Sequence, residues 1–130
     1  MLNYSPLVEA SKQAIKKCFL ANPNTVRKYG AAVLTKSGKI YSAGQYSSHN
    51  HITSIHAEMA AVILATMSGE ANILALALSG ENVDRVRSCG VCLQFLKEHC
   101  QRTKIDMDIL FVDKDSIQKT KLSDLTEDFW

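Results

Sequence analysis

Ser54–Glu70 reads SIHAEMAAVILATMSGE. The run of Ala, Met and Leu favours helix, and Ser68-Gly69 supplies a glycine stop, so the stretch predicts one helix with a glycine C-cap. His56 and Glu58 stand at its start. In one reading they are polar end residues of an apolar helix. In the other, His56 is a metal ligand and Glu58 is the acid/base that works beside the metal. The second reading needs more ligands from elsewhere in the chain.

Cys89 and Cys92 supply them, in a C-x-x-C at the predicted start of a second helix. At i and i+3 both sulfurs lie on one helix face. A helix N-terminus also favours thiolate, the form that binds metal. Two thiolates do not complete the usual tetrahedron of zinc, and a catalytic zinc takes three protein ligands and keeps a fourth position for water. His56 fits as the third ligand, and Glu58 as a non-ligand that takes the proton of the water and passes it on. A lone C-x-x-C also serves redox dithiols and structural zinc knuckles, and H-x-E alone means little. The combination, each motif opening a helix after a strand, points to a metal-assisted hydrolase.

The flanking segments predict the scaffold. Residues 7–20, LVEASKQAIKKCFL, carry apolar groups at roughly helical spacing behind Pro6. ANPNT (21–25) is a loop. Residues 29–35 and 39–46 read as two strands joined at Ser37-Gly38. NILALALSG (72–80) and DMDILFVDK (106–114) are buried strands. Ser88 is the expected cap of a helix through CGVCLQFLKEHCQ, with Val91, Phe95, Leu96 and Cys100 as its apolar seam. The tail from Ser116 reads as a strand and a short helical turn. Helix, two strands, helix, strand, helix, strand implies a sheet with parallel pairs and helices on its faces. The chain, residues 1–130, is expected to be one domain.

Composition narrows the partners. Fifteen Lys/Arg against thirteen Asp/Glu give a net charge of +2 with no block of like charge. With one Trp, four Tyr and four Phe there is little material for a strand-binding stacking channel. Nucleic acid is therefore not the expected partner. No apolar run approaches the roughly 18 residues of a membrane span, and the N-terminus is too polar for a signal peptide. A cytoplasmic protein is expected, its four cysteines serving as thiols or metal ligands rather than disulfides.

At the metal motifs the chain resembles the cytidine deaminase family of the small, single-domain, homotetrameric kind, blasticidin S deaminase-type relatives included. His56-Ala57-Glu58 matches its H/C-A-E, and Cys89-Gly90-Val91-Cys92 matches its C-G-x-C. YGAAVLTKSGKIYSAGQ and KLSDLTEDFW resemble its hairpin and its C-terminus. The resemblance implies a three-layer α-β-α fold around a mixed five-stranded sheet. It implies one zinc per subunit on His56, Cys89 and Cys92, Glu58 as proton shuttle, and the Ala57 backbone facing the base. The implied reaction is hydrolytic deamination of cytidine, deoxycytidine or a related aminated nucleoside, as in pyrimidine salvage, in sites completed across a homotetramer or dimer.

Departures from the family concern the substrate. Its ribose-binding N-x-E falls on Gln45 and Ser47, and Ser47 cannot replace a carboxylate that accepts two hydroxyls. Its stacking Phe falls on Arg27, which can stack on a base or clamp a phosphate. The Pro before C-G-x-C is Ser88, and two arginines that usually donate to the thiolates are Leu93 and Met59. A neutral His in place of a third Cys leaves less charge for them to offset. Phe129 or Trp130 matches the C-terminal aromatic that closes a neighbouring site. His49 and His51 are read first as surface or interface residues, and second as lining the pocket mouth. His99 is read as a helix-end cation and Cys100 as a core thiol. Two alternatives stay open: a modified nucleoside, nucleotide or nucleoside antibiotic as substrate, and a non-catalytic zinc protein on the same fold.

Overall fold

The computed structural model describes residues 3–130, apart from the side chain of His51, so the reading of that histidine lies outside the described residues. Five strands form the main sheet, in the order β3-β2-β5-β6-β7. β2 (Lys28–Thr35) and β3 (Ile40–Gly44) are an antiparallel hairpin, and β2 also pairs antiparallel with β5 (Ile73–Glu81). β5 runs parallel to β6 (Asp108–Val112), and β7 (Ile117–Lys121) closes the far edge antiparallel. The expected mixed five-stranded sheet is present.

Alternation along the central strands splits the core in two. Ala31, Val33, Leu76 and Leu78 point to one face, packed with α2 (Ala57–Met67) and α3 (Gly90–Thr103). Ala32, Ala75 and Ala77 point to the other, under α1 (Ser5–Ala14). Small residues on that second face let α1 lie very close. A Cβ on Gly30 would meet Ser11 O at 2.4 Å, and one on Gly44 would meet Cys18 N at 2.5 Å. In the same tight layer the buried Ser11 hydroxyl donates to Val8 O at 2.7 Å, which makes Ser79 the donor in their 2.6 Å hydroxyl contact.

Helix ends follow their local chemistry. Gly69 takes φ +92° after α2, and Glu70 N–H reaches back to Ala65 O at 2.9 Å, a glycine C-cap as expected. Gly38, at φ +94°, turns the hairpin.

Three expectations are corrected. The first helix ends at Ala14 and tightens into a 3₁₀ turn (Ile15–Lys17) instead of running to residue 20. Phe19–Leu20 instead form β1, which pairs parallel with β4 (Tyr46–Ser47). The second hairpin strand breaks at Gln45, whose side chain takes the Tyr29 N–H at 2.9 Å and frees Tyr46 to turn towards β1. On α3, Leu96 and Cys100 are buried and Phe95 partly buried as expected, but Val91 is exposed and Cys92 takes its place in the seam.

Candidate metal centre and reaction cavity

His56 and Cys89 are the N-cap residues of α2 and α3, both with extended backbone, so each precedes the first helical residue. The two helix starts meet at the α2/α3 face of the sheet. His56 Nδ1 lies 3.0 Å from Cys92 Sγ and 3.3 Å from Cys89 Sγ, and the sulfurs are 3.5 Å apart. A tetrahedral zinc with one nitrogen and two sulfur ligands has donor separations of about 3.5 to 3.8 Å. The donors are thus gathered slightly tighter than a bound ion holds them. Among the described residues they are the group of three positioned for a metal.

Burial, and then the Glu58 carboxylate, push the Cys92 thiol well above its ordinary range. A thiolate there needs a cation beside it.

Glu58 is 4% exposed in the first turn of α2. Its Oε2 accepts the Ser88 hydroxyl at 2.8 Å. Ser88 was expected to cap α3, but Cys89 holds that position and the Ser88 side chain turns across to Glu58. Val86 fixes this loop, being fully buried and donating its N–H to Asp113 Oδ1 at 2.7 Å. Arg87 Nη1 reaches the same oxygen at 2.9 Å. The Val86 amide, and then Arg87, hold the Asp113 carboxyl below its ordinary range.

A cavity of about 630 Å³ opens beside the centre and takes in His56, Ala57, Glu58 and Cys89. Gln45 and Ser47 also line it, joined by a 3.1 Å bond from Gln45 Nε2 to Ser47 Oγ. The structure therefore brings together the metal set, Glu58, Ala57, Gln45 and Ser47. It does not bring Arg27, which is exposed just before β2 and outside the lining. Phe129 is 7% exposed in the core, its carbonyl held by Gln101 Nε2 at 2.6 Å. Trp130 packs edge-on against it and stays 66% exposed.

Several residues take unexpected places. His49 is exposed and also lines the cavity, so both of its readings hold. His99 Nε2 donates to Ala71 O at 2.7 Å, tying α3 to the entry of β5. Arg87 and Tyr29 also line the cavity. Nothing in their local sequence singled them out, because loop and strand-end geometry puts them there.

Residues 5–106 match the family described as the cytidine and deoxycytidylate deaminase zinc-binding region. The chain belongs to that family. This deaminase is a hydrolase that acts on amidine-type C–N bonds, and its His/Cys/Cys group is positioned for the zinc of the family. Its fold is that of solved cytidine deaminases. The enzyme from Burkholderia pseudomallei is 24% identical, with 98% of each chain covered and a TM-score of 0.83. That from Mycobacterium tuberculosis is 23% identical over 98% of this chain and 97% of the other, with a TM-score of 0.78. That from Mycobacterium leprae is 18% identical over 98% and 99%, with a TM-score of 0.76. Among the described residues of this deaminase, no helix is long and apolar enough to cross a membrane.

Proposed function

We propose that the protein replaces the exocyclic amine of a cytosine-type nucleoside (cytidine, deoxycytidine or a close aminated relative) with oxygen, releasing ammonia. One observation carries this reading: a buried carboxylate, Glu58, lines a nucleoside-sized cavity together with His56 and Cys89, while Cys92 completes the donor set from the buried side. His56, Cys89 and Cys92 would hold one zinc per chain. When bound there, zinc supplies a Lewis acid that makes water nucleophilic at neutral pH.

Glu58 is the catalytic acid/base. A carboxylate oxygen takes one proton from the attacking water and delivers it to the ring nitrogen of the base. It then takes the remaining hydroxyl proton and delivers it to the amine, which departs as ammonia. The Ala57 backbone faces the base, and Gln45 and Ser47 approach the sugar. Exposure of Trp130 supports a role in closing the site of a neighbouring chain, in a homotetramer or a dimer, with Arg27 available to the same assembly. The buried Phe129 supports Trp130 in that task. We place this activity in the cytoplasm, in pyrimidine salvage, in a chain that works as a single domain.

A second reading, a modified nucleoside, nucleotide or nucleoside antibiotic as substrate, is favoured by the Gln45 side chain. Both ends of that amide are engaged by the protein itself, by Tyr29 N–H and by Ser47 Oγ. The zinc-loaded protein should be incubated with cytidine, deoxycytidine, their monophosphates and blasticidin S, and ammonia followed. Release from cytidine or deoxycytidine supports the first reading, and release only from the others supports the second. No ammonia from any of them leaves the non-catalytic alternative. Glu58→Ala should keep zinc and fold and abolish turnover, whereas loss of zinc would show that Glu58 is misassigned.

A further inference from the structure

The hydroxyl of Ser88, just before α3, reaches across to the first turn of α2 and ends 2.8 Å from Oε2 of Glu58, thirty residues away in sequence. A carboxylate only accepts, so Ser88 is the donor. Its oxygen does not cap α3, whose N-cap carries no side-chain bond. The loop behind it is anchored at two successive residues, Val86 and Arg87, both on Asp113. The hydroxyl is therefore presented from a fixed support, not from a mobile loop.

The terminal torsion of a glutamate is broad and roughly two-fold, so an unrestrained carboxylate samples many orientations. One charge-assisted bond from a fixed donor removes most of that freedom. Here it takes one lone pair of Oε2 and sets the plane in which the carboxylate lies. Catalytic groups misplaced by about 1 Å lose on the order of a hundred-fold in rate.

We propose that Ser88 is a positioning residue for the reaction, holding the Glu58 carboxylate in the orientation in which it handles the proton. This rests on the reading above that Glu58 is the acid/base. A purely structural Ser88 would satisfy a buried carboxylate and contribute stability, without acting on the chemical step.

Ser88→Thr and Ser88→Val separate the two roles, because they share a shape and differ in the hydroxyl. In zinc-loaded protein, Val should lower kcat about ten- to hundred-fold, with KM within two-fold and unchanged zinc content. Thr should recover most of kcat. Affinity for a pyrimidine nucleoside carrying a tetrahedral 4-hydroxyl should weaken in Val by the same factor as kcat, while binding of the uridine-type product stays constant. In a Glu58→Gln background, the Val substitution should change the affinity for that analogue no further.

An active parent with equal kcat in the Thr and Val variants overturns the positioning role and leaves the reading of Glu58 intact. So does a Val variant that loses zinc, or one whose analogue affinity is unchanged. A parent that releases ammonia from no aminated nucleoside sinks both.

Discussion

Asp113 Oδ1 accepts the Val86 backbone N–H at 2.7 Å, joining the end of β6 to the loop that delivers Cys89. Lys114 N–H reaches Asp84 O at 3.1 Å in the same place, so two successive residues after β6 pin the loop. The metal set is thus held by the sheet as well as by the helices. Asp113→Ala leaves the buried Val86 amide without an acceptor and releases Arg87. Metal affinity should fall about ten-fold, as when outer partners of a metal ligand are removed. Competition with a fluorescent zinc chelator measures it, and an unchanged affinity would show that α3 alone sets the position of Cys89.

The close approach of α1 to the hairpin makes a second test. Gly30→Ala puts a methyl 2.4 Å from Ser11 O, and Gly44→Ala puts one 2.5 Å from Cys18 N. Both neighbours are backbone, which yields only if the helix shifts. Each substitution should cost about 1–3 kcal/mol or more in urea unfolding, the range for overpacking. Gly90 has nothing within 4 Å of its would-be Cβ and opens α3. Gly90→Ala should therefore be neutral or stabilising by up to about 1 kcal/mol. Equal losses at all three positions would contradict the packing described.

Much of this architecture is legible in the residues, for identifiable reasons. β5 and β6 are continuous apolar runs because both faces are covered, and α2 is a run of strong helix formers with a glycine stop. The metal centre is legible because zinc chemistry restricts donor type and spacing to a few patterns. The path of residues 15–20 is not. Lys16 and Lys17 suit a helix as well as a turn, and β1 exists only because Tyr46 and Ser47 arrive beside Phe19 and Leu20. Ser88 has the chemistry of a helix cap and of a carboxylate donor alike. Tertiary distance to Glu58 decides between them, and that distance is not encoded locally.

Acid stability gives a third test. Glu70, just after α2, accepts hydrogen bonds from Ser37, Tyr41 at 2.8 Å and Thr35 at 3.0 Å, with Lys39 at 3.6 Å. Ser37 first, then Tyr41, bring its carboxyl down to about 2 from 4.5. A folded-state value below the unfolded one means the charged form stabilises the fold above pH 4.5. That stabilisation is lost progressively as pH falls from about 4.5 towards 2. Urea midpoints of the parent should therefore drop over that interval, and those of Glu70→Gln should drop less. Parallel pH profiles for the two proteins would remove Glu70 from the acid response.

The sugar end of the cavity gives the last test. Gln45 Oε1 is taken by Tyr29 N–H, and Gln45 Nε2 donates to Ser47 Oγ. With that lone pair occupied, the Ser47 hydroxyl keeps a single acceptor site, too few to take both donors of a sugar diol. Ser47→Glu would put there a carboxylate able to accept two hydroxyls at once. If the sugar lies beside Gln45 and Ser47 as proposed, KM for cytidine should fall by up to about ten-fold, the worth of one good hydrogen bond. KM for 2′,3′-dideoxycytidine should not improve, because it lacks the diol. A gain for both substrates would mean the new carboxylate acts through general electrostatics, and a gain for neither would place the sugar elsewhere in the cavity.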